Sequence, residues 1–487
     1  MSVRADSPTS AGRHVADSQM TGPDGNVTRR DFMAAMAAIA PVAACAPTSV
    51  AAAPTKDYDV IVIGGGFCGI TAARECRKAG YRTLVLEARN RLGGRTFTAN
   101  ISGQSIDLGG MWVHWSQPYV WTEIKRSGVA LTESLGASAD KIIVRTRKNH
   151  IVTLSSVSFN AQFERALAQY MGSSRTLLPL PHEPFGSDEY LKVDQISSAE
   201  RLSSLTRVDD VCRDYLDGFL ASSGHNRNDQ FAWLEMVRWY ALPGHNPTDM
   251  SDSVGRFHFA SGSISLLNAL VAEGNPEIRL GTPVRRVVQE GSHVAIVTSA
   301  GEELNARAVI STIPLNVLKD VDWQPSLSEG RMQASRETHA GAGTKAHVVL
   351  EGNHGNIACA APDLYPLNWL ATEEIHEGNT HLIGFGADAK QVDVNDTDSV
   401  EKAVRLFIPS AKVLSTIGYE WNLDPYSKGT WCTLRPGMWS KYLRDLQKES
   451  GRIVFASADW ANGWRGFIDG AIEQGLSAGA RIKAMLA

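Results

Sequence analysis

At 487 residues the chain can hold two or three domains, or one domain interrupted by insertions. Its 43% hydrophobic and 21% charged content is that of a globular protein, and a net charge of −4 gives no footing for nucleic acid or an anionic membrane as partner. Beyond residue 53 the cysteines are Cys68, Cys76, Cys212, Cys359 and Cys432; an odd, scattered set argues against a disulfide framework or a zinc site, and they read as buried free thiols.

Residues 1–53 do not read as folded domain. A polar stretch runs into "TRRDFMAAMAAIAPVAACAPTSVAAAP", where Arg29 and Arg30 precede a short apolar run far below the ~20 residues that span a bilayer. The pattern resembles a twin-arginine export leader, cleaved near Ala51–Ala53, which predicts a periplasmic protein. Val42-Ala43-Ala44-Cys45 offers a second ending, a lipid anchor on Cys45, and a chance Arg-Arg pair is the bland alternative.

The folded chain starts with "DYDVIVIGGGFCGITAARECRKAGYRTLVLEARNRLGGRTF". "DVIVI" reads as a strand buried on both faces. Gly64-x-Gly66-x-x-Gly69 follows, then apolar residues at helical spacing from Ile70 to Ala79, a stop at Gly80, and a second strand ending at Glu87. This βαβ unit carries a dinucleotide fingerprint in its full context. Gly64 suits the tight turn, Gly66 the approach of a pyrophosphate, and Gly69 close packing of helix on strand. The helix N-terminus attracts phosphate, and Glu87 stands where a carboxylate can accept ribose hydroxyls. Past it, Arg89, Arg95 and the Gly93-Gly94 turn form a second clamp that a nicotinamide enzyme does not need.

The string "EARNRLGGR" is similar to that of the flavin-containing amine oxidases, the monoamine oxidase family. The resemblance implies FAD, held by Gly64, Gly66, Phe67, Cys68, Gly69, Glu87, Ala88, Arg89, Gly94 and Arg95. "DLGGMWVHW" resembles the family segment beneath the flavin, which implies contacts from Gly110, Met111 and Trp112. "GTPVRRVV" puts Val284 at the adenine. The C-terminal "FASADWANGWRGFIDG" implies Asp459 at the ribityl–phosphate region, and a helix from Ile468 whose positive end faces the pyrimidine ring. Where the family has glutamate, this chain has Asp459. "WVHWSQPYVW", "PHEP", "PLNW", "DVND" and "WNLDPYSKGTW" resemble the bacterial nicotine oxidoreductase and pseudooxynicotine amine oxidase type.

The family resemblance also implies chemistry: hydride leaves the carbon beside an amine nitrogen for flavin N5, and the imine hydrolyses. Lys345 matches the lysine that reaches N5 through water, and burial should lower its pKa. Trp431 and Phe467 match the aromatic pair flanking the substrate nitrogen, although the nicotine enzymes have asparagine at the Phe467 position. Thr430 stands where monoamine oxidases carry the flavin-linked cysteine, so FAD is expected to be non-covalent; Cys432, two residues on, shares its side if the segment is a strand. Trp112, Trp115 and Trp369 are placed in the substrate pocket, and His114 reads as a packed, hydrogen-bonded histidine rather than a base. The electron acceptor is O₂ or a periplasmic cytochrome c, and the resemblance allows a homodimer.

The predicted fold is α/β (α+β): a Rossmann-like FAD domain from 57–118, 253–317 and 425–487, with a mixed α/β substrate domain from 119–252 and 318–424. A secondary or heterocyclic amine of the nicotine or pseudooxynicotine kind is the leading substrate. An L-amino-acid oxidase, for which Arg435 and Arg465 would be the carboxylate partners, and a polyamine oxidase remain as alternatives. So do a C–H desaturase and a non-catalytic exported electron carrier.

Overall fold

The Val/Ile run Tyr58–Ile63 forms strand β1, with Val60, Ile61 and Val62 fully buried. The structure is a computed structural model and describes residues 58–101 and 104–487; Arg29, Arg30 and Cys45, on which the expected export leader rests, lie outside them. Helix α1, Phe67–Lys78, follows the glycine turn and leads to strand β2, Thr83–Leu86. β1 pairs in parallel with β2 on one side and with strand Glu303–Ser311 on the other. Strand Ile453–Phe455 pairs in parallel with the end of Glu303–Ser311. Leu86, Ile63, Ser311 and Phe455 therefore finish in one row, and the crevice outside that row is where such sheets place ligands.

The first half of Glu303–Ser311 turns antiparallel into His293–Thr298 and Val284–Glu290. Asp322–Gln324, assigned by sequence to the second domain, instead pairs in parallel with Val284–Glu290 and extends this sheet. α1 packs on helices Ile264–Gly274 and Ile468–Leu486, whose buried faces cover one side of the sheet.

A second sheet of seven strands runs in the order Val413–Gly418, Thr344–Leu350, Asn379–Gly386, Trp369–His376, Ile357–Ala360, Lys141–Arg145 and Ile151–Ser155. Between its early strands and its later ones the chain inserts helices, among them Ser156–Met171, Asp210–Gly224 and Trp233–Ala241. Helix Asp210–Gly224 starts at Asp209, whose carboxylate caps the Cys212 amide at 3.0 Å, and stops where His225 turns left-handed at φ +52°. A small sheet of Trp112–Val113, Phe257–Phe259 and Leu131–Glu133 sets Trp112 opposite His258. Among the described residues no helix is long and apolar enough to cross a membrane.

Candidate active site

The strand ends open into a cavity of about 710 Å³. Gly64 begins its wall with φ +109°, a backbone conformation that a side chain would strain. Gly69 has a different reason to be glycine. A Cβ there would sit 1.9 Å from the Gly64 carbonyl oxygen, so the helix can lie this close to the turn only without one. Gly66, Phe67 and Cys68 line the cavity at the start of α1, beside the Gly93–Gly94 backbone. Glu87 is buried at the end of β2, accepting the Gly65 amide at 2.7 Å and the Arg89 amide at 2.9 Å. Ala88, Gly94 and Val284 complete this part of the wall.

Both arginines, Arg89 and Arg95, line the cavity, and both are also bonded to protein groups. Arg89 lines the cavity, but its guanidinium forms a fork on Asp424, at 3.0 and 2.5 Å, so these donors are spent on protein. Arg95 donates to the Thr430 carbonyl at 2.9 Å and to Asp459. Asp459 itself is fully buried and absent from the lining: its second oxygen accepts the Leu315 amide at 2.8 Å. The strand ends in a short turn at Ala458–Trp460, and there the buried Asp459 carboxylate holds Arg95. Ser457 and Ala458 line the wall.

Lys345 enters from strand Thr344–Leu350 and is 4% exposed. Its Nζ donates to the Asp107 and Gly109 carbonyls at 2.6 and 2.9 Å and lies 3.1 Å from Met111 Sδ. Burial pulls the ammonium down to about 8. Gly110, Met111 and Trp112 lie beside it in the cavity wall.

Trp431 and Phe467 both line the cavity, each backed by its own rings. Phe467 packs edge-on against Trp239 and Trp464, with centroids at 4.8 and 5.0 Å. Trp431 lies flat on His225, centroids 3.9 Å apart and planes 5° from parallel, and donates Nε1–H to the Ser223 carbonyl at 3.0 Å. Phe467 is also the N-cap of helix Ile468–Leu486, and no side chain caps the first-turn amides there. Ile468 stands in the wall. In the first turn, Asp469 Oδ1 accepts the Val120 amide at 2.8 Å, and burial pushes this carboxyl up to about 7.

Trp369 lines the cavity, edge-on to Tyr215 and Phe219. Trp115 does not. It is 50% exposed and rests on His114 and the Arg256 guanidinium, because the chain leaves the two-residue strand Trp112–Val113 immediately before it. His114 bonds Ser116 and Asp252, both at 2.9 Å, outside the wall. Residues 430–432 are not a strand. Thr430 faces the cavity with its hydroxyl 2.8 Å from His225 Nδ1, while the buried Cys432 thiol lies 3.5 Å from the Asp459 carbonyl.

Sequence reasoning missed His225, Asp424, Ser134 and Glu373. All four depend on partners far along the chain.

A glycine-walled turn at a helix start, a buried carboxylate ending the second strand, and a wide aromatic end with one buried lysine fit a flavin dinucleotide. Residues 67–483 match the family described as flavin containing amine oxidoreductase. The chain belongs to this family. As a flavin amine oxidoreductase it is 42% identical to the pseudooxynicotine dehydrogenase of a Pseudomonas species over 88% of this chain and 87% of that one. It is 34% identical to the nicotine dehydrogenase of Pseudomonas putida over 96% of this chain and all of that one. Putrescine oxidase shares the fold, with a TM-score of 0.77 at 21% identity over 88% of this amine oxidoreductase and 100% of its chain.

Proposed function

We propose that this flavin amine oxidoreductase binds FAD non-covalently and oxidises a secondary amine that carries a pyridine ring, of the nicotine or pseudooxynicotine kind. One observation carries the reading: a single cavity has Glu87 and Val284 in its wall together with Trp431, Phe467 and the buried Lys345. FAD supplies a hydride acceptor for the carbon beside the amine nitrogen, and water hydrolyses the resulting imine. The protein's own residues orient and desolvate. Trp431 and Phe467 present ring faces that attract a basic nitrogen and exclude water. Lys345, lowered to about 8 by burial, can hold a water by a hydrogen bond and exchange a proton near neutral pH. The first-turn amides of Ile468–Leu486 offer partial positive charge at the wall.

Non-covalent binding is supported by the thiols. Cys432 is outside the wall, and its thiol is raised far above its usual range by burial. Cys68 lines the cavity, but burial raises its thiol as well, so neither is a ready nucleophile. An amino-acid oxidase would need an arginine for the carboxylate. Arg465 is buried against Glu235 at 2.8 Å, Arg435 donates to the Thr338 carbonyl and Gln230, and neither lines the cavity. The 42% identity to a pseudooxynicotine dehydrogenase supports the substrate class. Arg29 and Arg30 support export to the periplasm, with Cys45 as the alternative lipid anchor.

Anaerobic mixing tests the reading. The purified yellow protein should bleach with a pyridyl-bearing secondary amine and recolour with oxygen or cytochrome c, whichever is its acceptor. Acid precipitation should leave the flavin in the supernatant. A flavin that stays yellow with every amine would reduce the protein to an electron carrier, and colour in the pellet would mean a covalent bond.

A further inference from the structure

The aromatic end of the cavity must also read the part of the substrate that does not react, and Glu373 is the side chain placed to do it. Four other carboxylates and several hydroxyls line the cavity, but most are engaged; Asp320 accepts from the Lys428 ammonium at 2.8 Å. Glu87 takes two backbone amides, Asp252 is held by His114 and Arg256, and Glu164 accepts the Thr248 hydroxyl at 2.8 Å.

Glu373 lies on strand Trp369–His376, where Trp369, Ala371 and Glu373 all line the cavity. The ladder to Asn379–Gly386 slips here. Thr372 pairs with Leu382 and Glu374 with His381, which leaves Glu373 as the bulged residue. A bulge beside a cavity is a common device for aiming one side chain into it.

Behind the carboxyl stand an indole, a hydroxyl and an imidazole. Trp112 Nε1 can only donate, and it gives its proton to Ser134 Oγ at 3.2 Å. The Ser134 hydroxyl donates in turn to Glu373 Oε1 at 3.2 Å. His258 Nδ1 is 3.0 Å from the same oxygen. The same Nδ1 is 3.2 Å from Ser134 Oγ, so hydroxyl, imidazole and carboxyl form one cluster around Oε1. Oε2 has no protein partner among the described residues, so it is the oxygen left to meet a ligand. Burial pushes the Glu373 carboxyl up against the opposing pull of His258, Lys345 and Ser134, with Glu374 adding to the rise.

We propose that Glu373, anchored by Ser134 and His258, is a specificity-determining hydrogen-bond donor. It gives its Oε2–H to an acceptor atom of the amine substrate remote from the oxidised C–N bond, a heteroaromatic nitrogen or a carbonyl oxygen. This rests on the amine-oxidoreductase reading and adds the feature by which a substrate is chosen. A site built to donate a hydrogen bond penalises an analogue without the acceptor far more than an apolar pocket would, because the buried donor is left unpaired.

The test compares secondary amines of one length that end in a 3-pyridyl ketone, a 3-pyridyl ring, a phenyl ketone or a phenyl ring. Flavin absorbance confirms that each variant is loaded. Wild type should favour an acceptor-bearing amine over the phenyl amine by roughly 10- to 100-fold in kcat/KM, mostly through KM. Whichever acceptor carries the preference, ring nitrogen or ketone, is the atom recognised. Glu373→Leu should bring that ratio to about one by weakening only the acceptor-bearing amine. Glu373→Gln keeps a carbonyl for Ser134 and an N–H donor for the substrate, so it should retain most of the preference.

Glutamine failing as leucine does would show that a carboxylate charge is needed, and would overturn the proposal. So would a wild type that treats all four amines alike, whatever the variants do, or a Leu variant that slows all four equally. If wild-type flavin is bleached by none of them, the functional reading fails and this proposal goes with it; bleaching without discrimination fails the proposal alone.

Discussion

Lys345 is wrapped by two backbone oxygens and a thioether, and burial still pulls it to about 8 from an ordinary 10.5. Between those two values the unfolded chain holds a proton that the folded protein has released. Stability should therefore rise with pH across 8 to 10.5 and be independent of this group below 8. Lys345→Met removes the dependence. In unfolding titrations at several pH values, wild type should gain on the variant by on the order of 3 kcal/mol across that window. Parallel curves would mean that the ammonium titrates as it does in water. In turnover the same variant should keep its flavin and slow flavin reduction or reoxidation by about tenfold or more; full rates in both half-reactions would remove Lys345 from the chemistry. Lys345 was legible through the family resemblance, and the structure buries it as that reading expects. The pairing of Asp459 with Arg95 was not legible, because the two are 364 residues apart.

The β1–turn–α1 unit was legible for the opposite reason: everything that specifies it is local. Its strand, its positive-φ glycine and its helix follow one another within 21 residues, Tyr58–Lys78, and each choice supports the next. Gly69→Ala tests the tightest point. The added Cβ would meet a carbonyl oxygen at 1.9 Å, so α1 must move away from the turn, at about 1–3 kcal/mol. Flavin content per purified chain should fall steeply while far-ultraviolet dichroism stays near wild type; full loading would show that the helix has room to spare. The opposite wall was not legible. His225 reaches Trp431 by ending a helix in a left-handed turn, and Glu373 reaches the cavity through a ladder slip. Both depend on pairing between elements that are distant in sequence, which periodicity does not encode.

For the molecule as a whole, the parallel row of strand ends was foreseeable, because an apolar strand, a glycine turn and a returning strand leave few topologies open. The second sheet was foreseeable only as a class, and the place of Asp322–Gln324 in the first sheet was not. What the finished core adds is a set of neutral, buried imidazoles distributed across it. His225 and His339 are lowered by burial to about 4, and His347, by burial and the nearby Lys345, to about 3. From pH 6.5 downward the unfolded chain protonates these rings before the folded protein does, so each contributes stability that is whole above 6.5 and lost as pH falls. Burial raises Asp469 to about 7 and Asp217 to about 6, and these carboxyls act the other way. Among these five groups the three imidazoles outweigh the two carboxyls, so together they take up about one net proton on unfolding near pH 5 and pull Tm down between pH 6.5 and 4. His347→Gln isolates one contributor. It should hold its stability better than wild type in acid, the gap reaching on the order of 3 kcal/mol at pH 4 and closing above 6.5. An unchanged slope would place the His347 ring in contact with solvent, and with it the strand that carries Lys345.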